Sequence, residues 1–104
     1  MSGIGQWQPA EPGVKRKIFP PGERLMMMEV HFEQGAEGYE HSHLHEQFSY
    51  CVKGRMRFTV DGKITEIGAG ETISIPGGAV HGAKALEPSI LIDTFTPLRE
   101  DLLK

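Results

Sequence analysis

Residues 35–54 read GAEGYEHSHLHEQFSYCVKG, and residues 70–81 read GETISIPGGAVH. The first block runs Gly35, five residues, His41, one residue, His43, three residues, Gln47, six residues, Gly54. The second runs Gly70, five residues, Pro76, one residue, Gly78, two residues, His81. Imidazole is the commonest protein ligand for transition metals, so the clustering points to a metal site. On a strand, residues i and i+2 point to the same side, so His41 and His43 can converge on one ion. A turn over 44–46 would place His45 at the rim and let Gln47 restart the inward face. His81, remote in sequence, would reach the ion from the opposite wall. Three imidazoles and an amide oxygen carry no charge, so an ion held by them keeps its full charge. That favours Lewis acidity over tight binding. With no thiolate in the set, the donors suit Ni, Zn, Co, Fe or Mn. Cys51 shares the parity of Gln47 and reads as a small buried hydrophobe, and His31 as structural or exposed.

The rest of the chain supplies the frame. At 104 residues there is room for one core. A net charge of −3 leaves no basic footprint for nucleic acid. No apolar run approaches membrane-spanning length, and MSGIGQWQPAEPG at the start lacks a basic flank and an apolar stretch. The expectation is a cytoplasmic protein with neither nucleic acid nor membrane as partner. One cysteine excludes an internal disulfide framework.

Thirteen glycines and seven prolines punctuate the chain into short segments, the spacing of a many-stranded sandwich or barrel. Strands are expected at Val14–Phe19, Leu25–Phe32, Gln47–Val52, Met56–Val60, Lys63–Ile67, Thr72–Ile75, Val80–Ala85 and Ser89–Thr96. Residues 1–13 read as a flexible arm and 14–104 as a single domain. Asp61-Gly62 is the strongest hairpin signal, because a type I′ turn needs positive φ twice. Closing the sheet removes exposed edges, and an eight-stranded barrel has an interior wide enough for one small ligand. With Gln47, Ser49 and Cys51 inward, Phe48, Tyr50 and Val52 point outward. Three apolar side chains there need cover, which predicts a homodimer.

The end of the chain holds a third block, IDTFTPLREDLL. A buried strand does not carry an aspartate without compensation. Asp93 shares a face with Leu91 and Phe95, and Arg99 follows a proline turn. Asp93 is then either a carboxylate aimed at the metal pocket or half of a surface ion pair. Arg99 either folds back over the mouth to hold a substrate carboxylate or lies in solvent.

The two glycine-anchored blocks resemble the motifs of the cupin superfamily. That resemblance implies an all-β, double-stranded β-helix (jelly-roll) barrel with one divalent metal held by His41, His43, the residue at 47 and His81. Gln47 stands where glutamate is usual in cupins, and Ala85 where asparagine often ends the second motif. VKRKIF, LMMMEV, HSHLHEQFSYCVKG, IPGGAVHG and DTFTPLREDLL together resemble the pectin-degradation cupins of the KdgF type. In those a glutamine is among the metal ligands. The resemblance implies action on 4,5-unsaturated monouronates from pectin or alginate breakdown, converting them to the linear keto form. Asp93, Phe95 and Arg99 match that family's catalytic residues, and the implied partner is a small sugar acid. Two alternatives stay open: a metal-dependent dioxygenase of a small organic substrate, and a non-catalytic small-ligand-binding cupin.

Overall fold

The computed structural model describes residues 3–103. Ten strands follow in order: β1 (Trp7–Pro9), β2 (Val14–Ile18), β3 (Met26–Phe32), β4 (Glu37–His41), β5 (Glu46–Lys53), β6 (Arg55–Val60), β7 (Lys63–Gly68), β8 (Thr72–Ile75), β9 (His81–Ala85) and β10 (Ser89–Thr96). They form two antiparallel sheets, one ordered β1-β2-β3-β10-β5-β8 and the other β4-β9-β6-β7. From β3 onward the chain crosses repeatedly between the sheets, so the two close on a shared interior as a jelly roll. A single 3-10 turn, Glu100–Leu102, ends the described chain.

Each expected strand appears with its ends shifted by at most one residue. Period two explains why. In β3 every second residue, Met26, Met28, Val30 and Phe32, is buried, and β10 buries Ser89, Leu91, Asp93 and Phe95. The hairpin joining β6 to β7 places Asp61 at φ 48° and Gly62 at φ 82°, both in the left-handed region that a two-residue turn demands.

Two strands escaped the sequence reading, and both are edges. The segment before Val14, expected as an arm, contains β1, which pairs with β2 through Trp7↔Lys17 and Pro9↔Lys15. Trp7 meets His31 edge-on at 4.6 Å, with the Lys15 and Lys17 ammonium groups 4.9 and 5.1 Å from its ring. Three residues offer no alternation to read. The other, β4, has the sequence EGYEH and buries none of its residues fully, so it lacks the apolar face that reveals a strand.

The interior has two halves. One is apolar: Cys51, Met56, Ile67 and Ala85 are all buried there. In the other, Gln47, Ser49, His81 and Asp93 are buried polar groups supplied by β5, β9 and β10. Register makes the second half continuous, because Asp93 lies opposite Ser49 and Phe95 opposite Gln47.

Candidate metal centre and substrate cavity

The histidines converge by three separate routes. His41 ends β4 and sits directly across from His81 at the start of β9, with ring centroids 4.4 Å apart. His43 lies beyond the strand, in the loop 42–45, so alternation along one strand does not explain its approach. Its position comes from the facing IPGG loop, where the Gly78 amide donates to the His43 carbonyl at 2.8 Å. Any Cβ at Gly77 would run into the Leu44 carbonyl, so only glycine lets the two loops nest. His43 then reaches His81 at 4.9 Å and His41 at 5.5 Å between centroids.

Hydrogen bonds set the tautomer of all three rings. The Nδ1–H of His41 donates to the Tyr39 carbonyl at 2.8 Å, that of His43 to His45 at 3.0 Å, and that of His81 to Ala79 at 2.9 Å. A carbonyl only accepts, so each Nδ1 carries the proton and each Nε2 is left with its lone pair. The buried Nε2 of His81 has no hydrogen-bond partner among the described residues. His43 Nε2 faces Gln47 Oε1 at 3.1 Å, two lone-pair atoms that a shared cation would reconcile. The three imidazoles offer ligand atoms within 4.8 Å of one another. Burial, reinforced by the Arg99 charge, lowers the His43 pKa, and burial lowers that of His81. Both rings are therefore neutral and ready to ligate. These residues fit a divalent transition metal, with the Gln47 oxygen beside them.

His45 faces elsewhere. Its Nε2–H donates to the Leu98 carbonyl at 3.1 Å, tying the histidine loop to the C-terminal segment. Cys51 is buried in the apolar half, where burial pushes its thiol up.

The C-terminal block folds back onto the same centre. Phe95, 1% exposed, meets His43 edge-on at 5.7 Å. The Arg99 guanidinium lies 5.2 Å from the Phe95 ring and is held by a forked pair of bonds to Asp101, at 3.2 and 2.8 Å. Asp93 is buried on the inner face, not in a surface ion pair, and accepts from the Ser49 hydroxyl at 2.6 Å. Burial pushes its carboxyl up to about 6, opposed by the Ser49 bond and the Arg99 charge. A cavity of about 290 Å³ opens on His41, Gln47, His81, Asp93, Phe95 and Arg99. Such a volume suits one small molecule.

Three polar residues of this region had no role assigned from sequence. Asp101 orients Arg99, and Ser49 links Gln47 to Asp93. Arg16 also lines the cavity, with a buried Nε that has no partner among the described residues. Strand parity was the available signal for Arg16, since it lies between inward Val14 and Ile18.

A β-roll with a histidine cluster at one end of its interior is the cupin arrangement, and a model of the cupin domain matches residues 28–95. The chain belongs to the cupin family. Within it, the chain is 37% identical over 99 residues to the pectin degradation protein KdgF of Dickeya dadantii, covering 93% of this chain and 90% of that protein. The structure of KdgF from a Halomonas species superposes with a TM-score of 0.88 at 39% identity, covering 93% of this chain and 90% of that one. An RmlC-like cupin from Shewanella frigidimarina gives 0.87 at 40% identity, covering 93% and 87%. The chain is thus a KdgF-like cupin.

Proposed function

We propose that this cupin isomerises 4,5-unsaturated monouronates released in pectin or alginate breakdown, opening the ring and yielding the linear keto acid. One observation carries the reading. Asp93, Phe95 and Arg99 line the same cavity as His41 and His81, in a chain 37% identical to a pectin degradation protein. His41, His43, Gln47 and His81 would hold one divalent metal (Ni, Zn, Co, Fe or Mn), whose chemistry when bound is Lewis-acid polarisation of substrate oxygens.

The chain's own groups supply the rest. Asp101 holds Arg99 through Nε and Nη2, which leaves its Nη1 side for the substrate carboxylate, and Arg16 adds a second cation to the cavity. Phe95 walls the site and keeps water from the reacting carbons. The reaction is an isomerisation, so a proton taken from the anomeric hydroxyl balances one delivered to C4. Asp93 moves that proton, and a carboxyl at about 6 serves in both directions near neutral pH.

Incubation with unsaturated galacturonate, following loss of the conjugated enoate absorbance, tests the reading. Wild type should turn over without oxygen, and Asp93→Asn should not. An unchanged rate in Asp93→Asn would sink the mechanism, and strict iron dependence with oxygen uptake would favour a dioxygenase.

Assembly as a homodimer and residence in the cytoplasm go with this reading. Phe48, Tyr50 and Val52 are 49%, 43% and 45% exposed on the outer face of β5, and isologous pairing would cover them. A monomeric mass at micromolar concentration would overturn the dimer. No helix among the described residues is long and apolar enough to cross a membrane.

A further inference from the structure

We propose that Ser49 is a positioning residue that sets the orientation of the Gln47 amide and ties it to Asp93 in one directed hydrogen-bond chain. Ser49 is fully buried in the middle of β5, between a metal-site side chain and the buried carboxylate. The Gln47 Nε2–H donates to Ser49 Oγ at 3.0 Å, and the Ser49 hydroxyl donates to Asp93 Oδ1 at 2.6 Å. A hydroxyl has one proton to give. Giving it to Asp93 leaves Ser49 Oγ as an acceptor on the side facing position 47. Only the NH₂ end of an amide satisfies that acceptor, so the other end, Oε1, turns to the histidines and lies 3.1 Å from His43 Nε2.

The same reasoning accounts for the neutral amide at a position where cupins usually carry glutamate. An ionised glutamate at 47 has no proton to donate. Ser49 would then stand between two carboxylates with a single proton, and one of two buried acceptors would lose its partner. The residue at 47 is therefore chosen jointly by the metal and by the Ser49–Asp93 pair. The inference rests on the proposed metal site and mechanism, but its first readouts need no substrate.

The test compares wild type with Ser49→Ala and Ser49→Cys. Nickel(II) affinity is measured by titration, and the d–d absorption of the cobalt(II)-loaded proteins reports the ligand field. Freed from Ser49, the amide rotates, so nickel affinity should fall about tenfold, as for other groups that orient metal ligands. The cobalt spectrum should change in both variants. On unsaturated galacturonate, kcat should fall while KM holds, because Arg99 is untouched. Nickel affinity within twofold of wild type together with an unchanged cobalt spectrum would overturn the proposal. Cysteine nearly matches serine in volume, so Ser49→Cys gives the answer if Ser49→Ala does not fold. Should wild type prove inactive on the uronate, the substrate reading fails while the metal readouts still decide the role of Ser49.

Discussion

Leu91 and Asp93 lie two residues apart on the same inward face of β10, and both are nearly inaccessible to solvent. Leu91 lies opposite Cys51 and Asp93 opposite Ser49, so one strand pair builds both halves of the interior. The halves differ in how burial acts on them. Around Leu91, loss of water contact is the stabilising force itself. Around Asp93 it is a cost, visible in a carboxyl held at about 6, and the proposed proton transfer would use that raised value. One interior therefore holds an apolar core at one end and a polar, histidine-lined cavity at the other.

Substitutions can break this contrast, beginning with the largest effect. Asp93→Asn should lower kcat by about 10²–10⁴-fold, the usual contribution of a positioned acid–base group, with metal content unchanged. Met56→Ala, at a fully buried position away from the cavity lining, should do the reverse. It should destabilise the fold by about 2–5 kcal/mol in urea denaturation while turnover per folded molecule persists. If both variants lose the same property, the division of the interior is wrong.

A pH series sharpens the comparison. The folded Asp93 carboxyl titrates at about 6 against an ordinary 3.8, so the folded chain holds the proton more tightly than the unfolded one. That relative stability is fully present below 3.8 and is lost as pH rises through about 6. The loss reaches about 3 kcal/mol. Metal-stripped Asp93→Asn should therefore melt above wild type at pH 8 and converge with it near pH 4. The histidines run the other way. His43 and His81 have lowered pKa values, so their contribution is present above 6.5 and lost as pH falls. Dialysis in steps of pH should release metal only on acidification below that value. The smallest effect belongs to Asp101→Asn. Its ion pair with Arg99 is exposed on the aspartate side, so KM should rise no more than about fivefold with kcat unchanged.

Much of this was legible in the sequence because it rests on short-range periodicity. The alternation in LMMMEVHF and SILIDTFT marks β3 and β10, and Asp61-Gly62 marks the hairpin. The edges β1 and β4 were not legible, since strands that bury no full face leave no pattern to detect. The histidine cluster shows both sides of this. The spacing of the two glycine-anchored blocks selects His41, His43 and His81, yet strand alternation does not gather them. His43 is placed by Gly78 across a loop contact, and His41 by an edge strand paired to β9.

What the sequence by itself determined was the inventory and its order: which residues alternate, where the chain turns, and which imidazoles, amide and carboxylate are available. Those properties depend on neighbours along the chain. Only the tertiary structure decided that each histidine gives its Nδ1 proton to a backbone carbonyl, that Asp93 is buried beside Ser49, and that Arg99 returns over Phe95. Tautomer, desolvation and cross-strand register arise from groups far apart in sequence, and they exist only once the two sheets have closed.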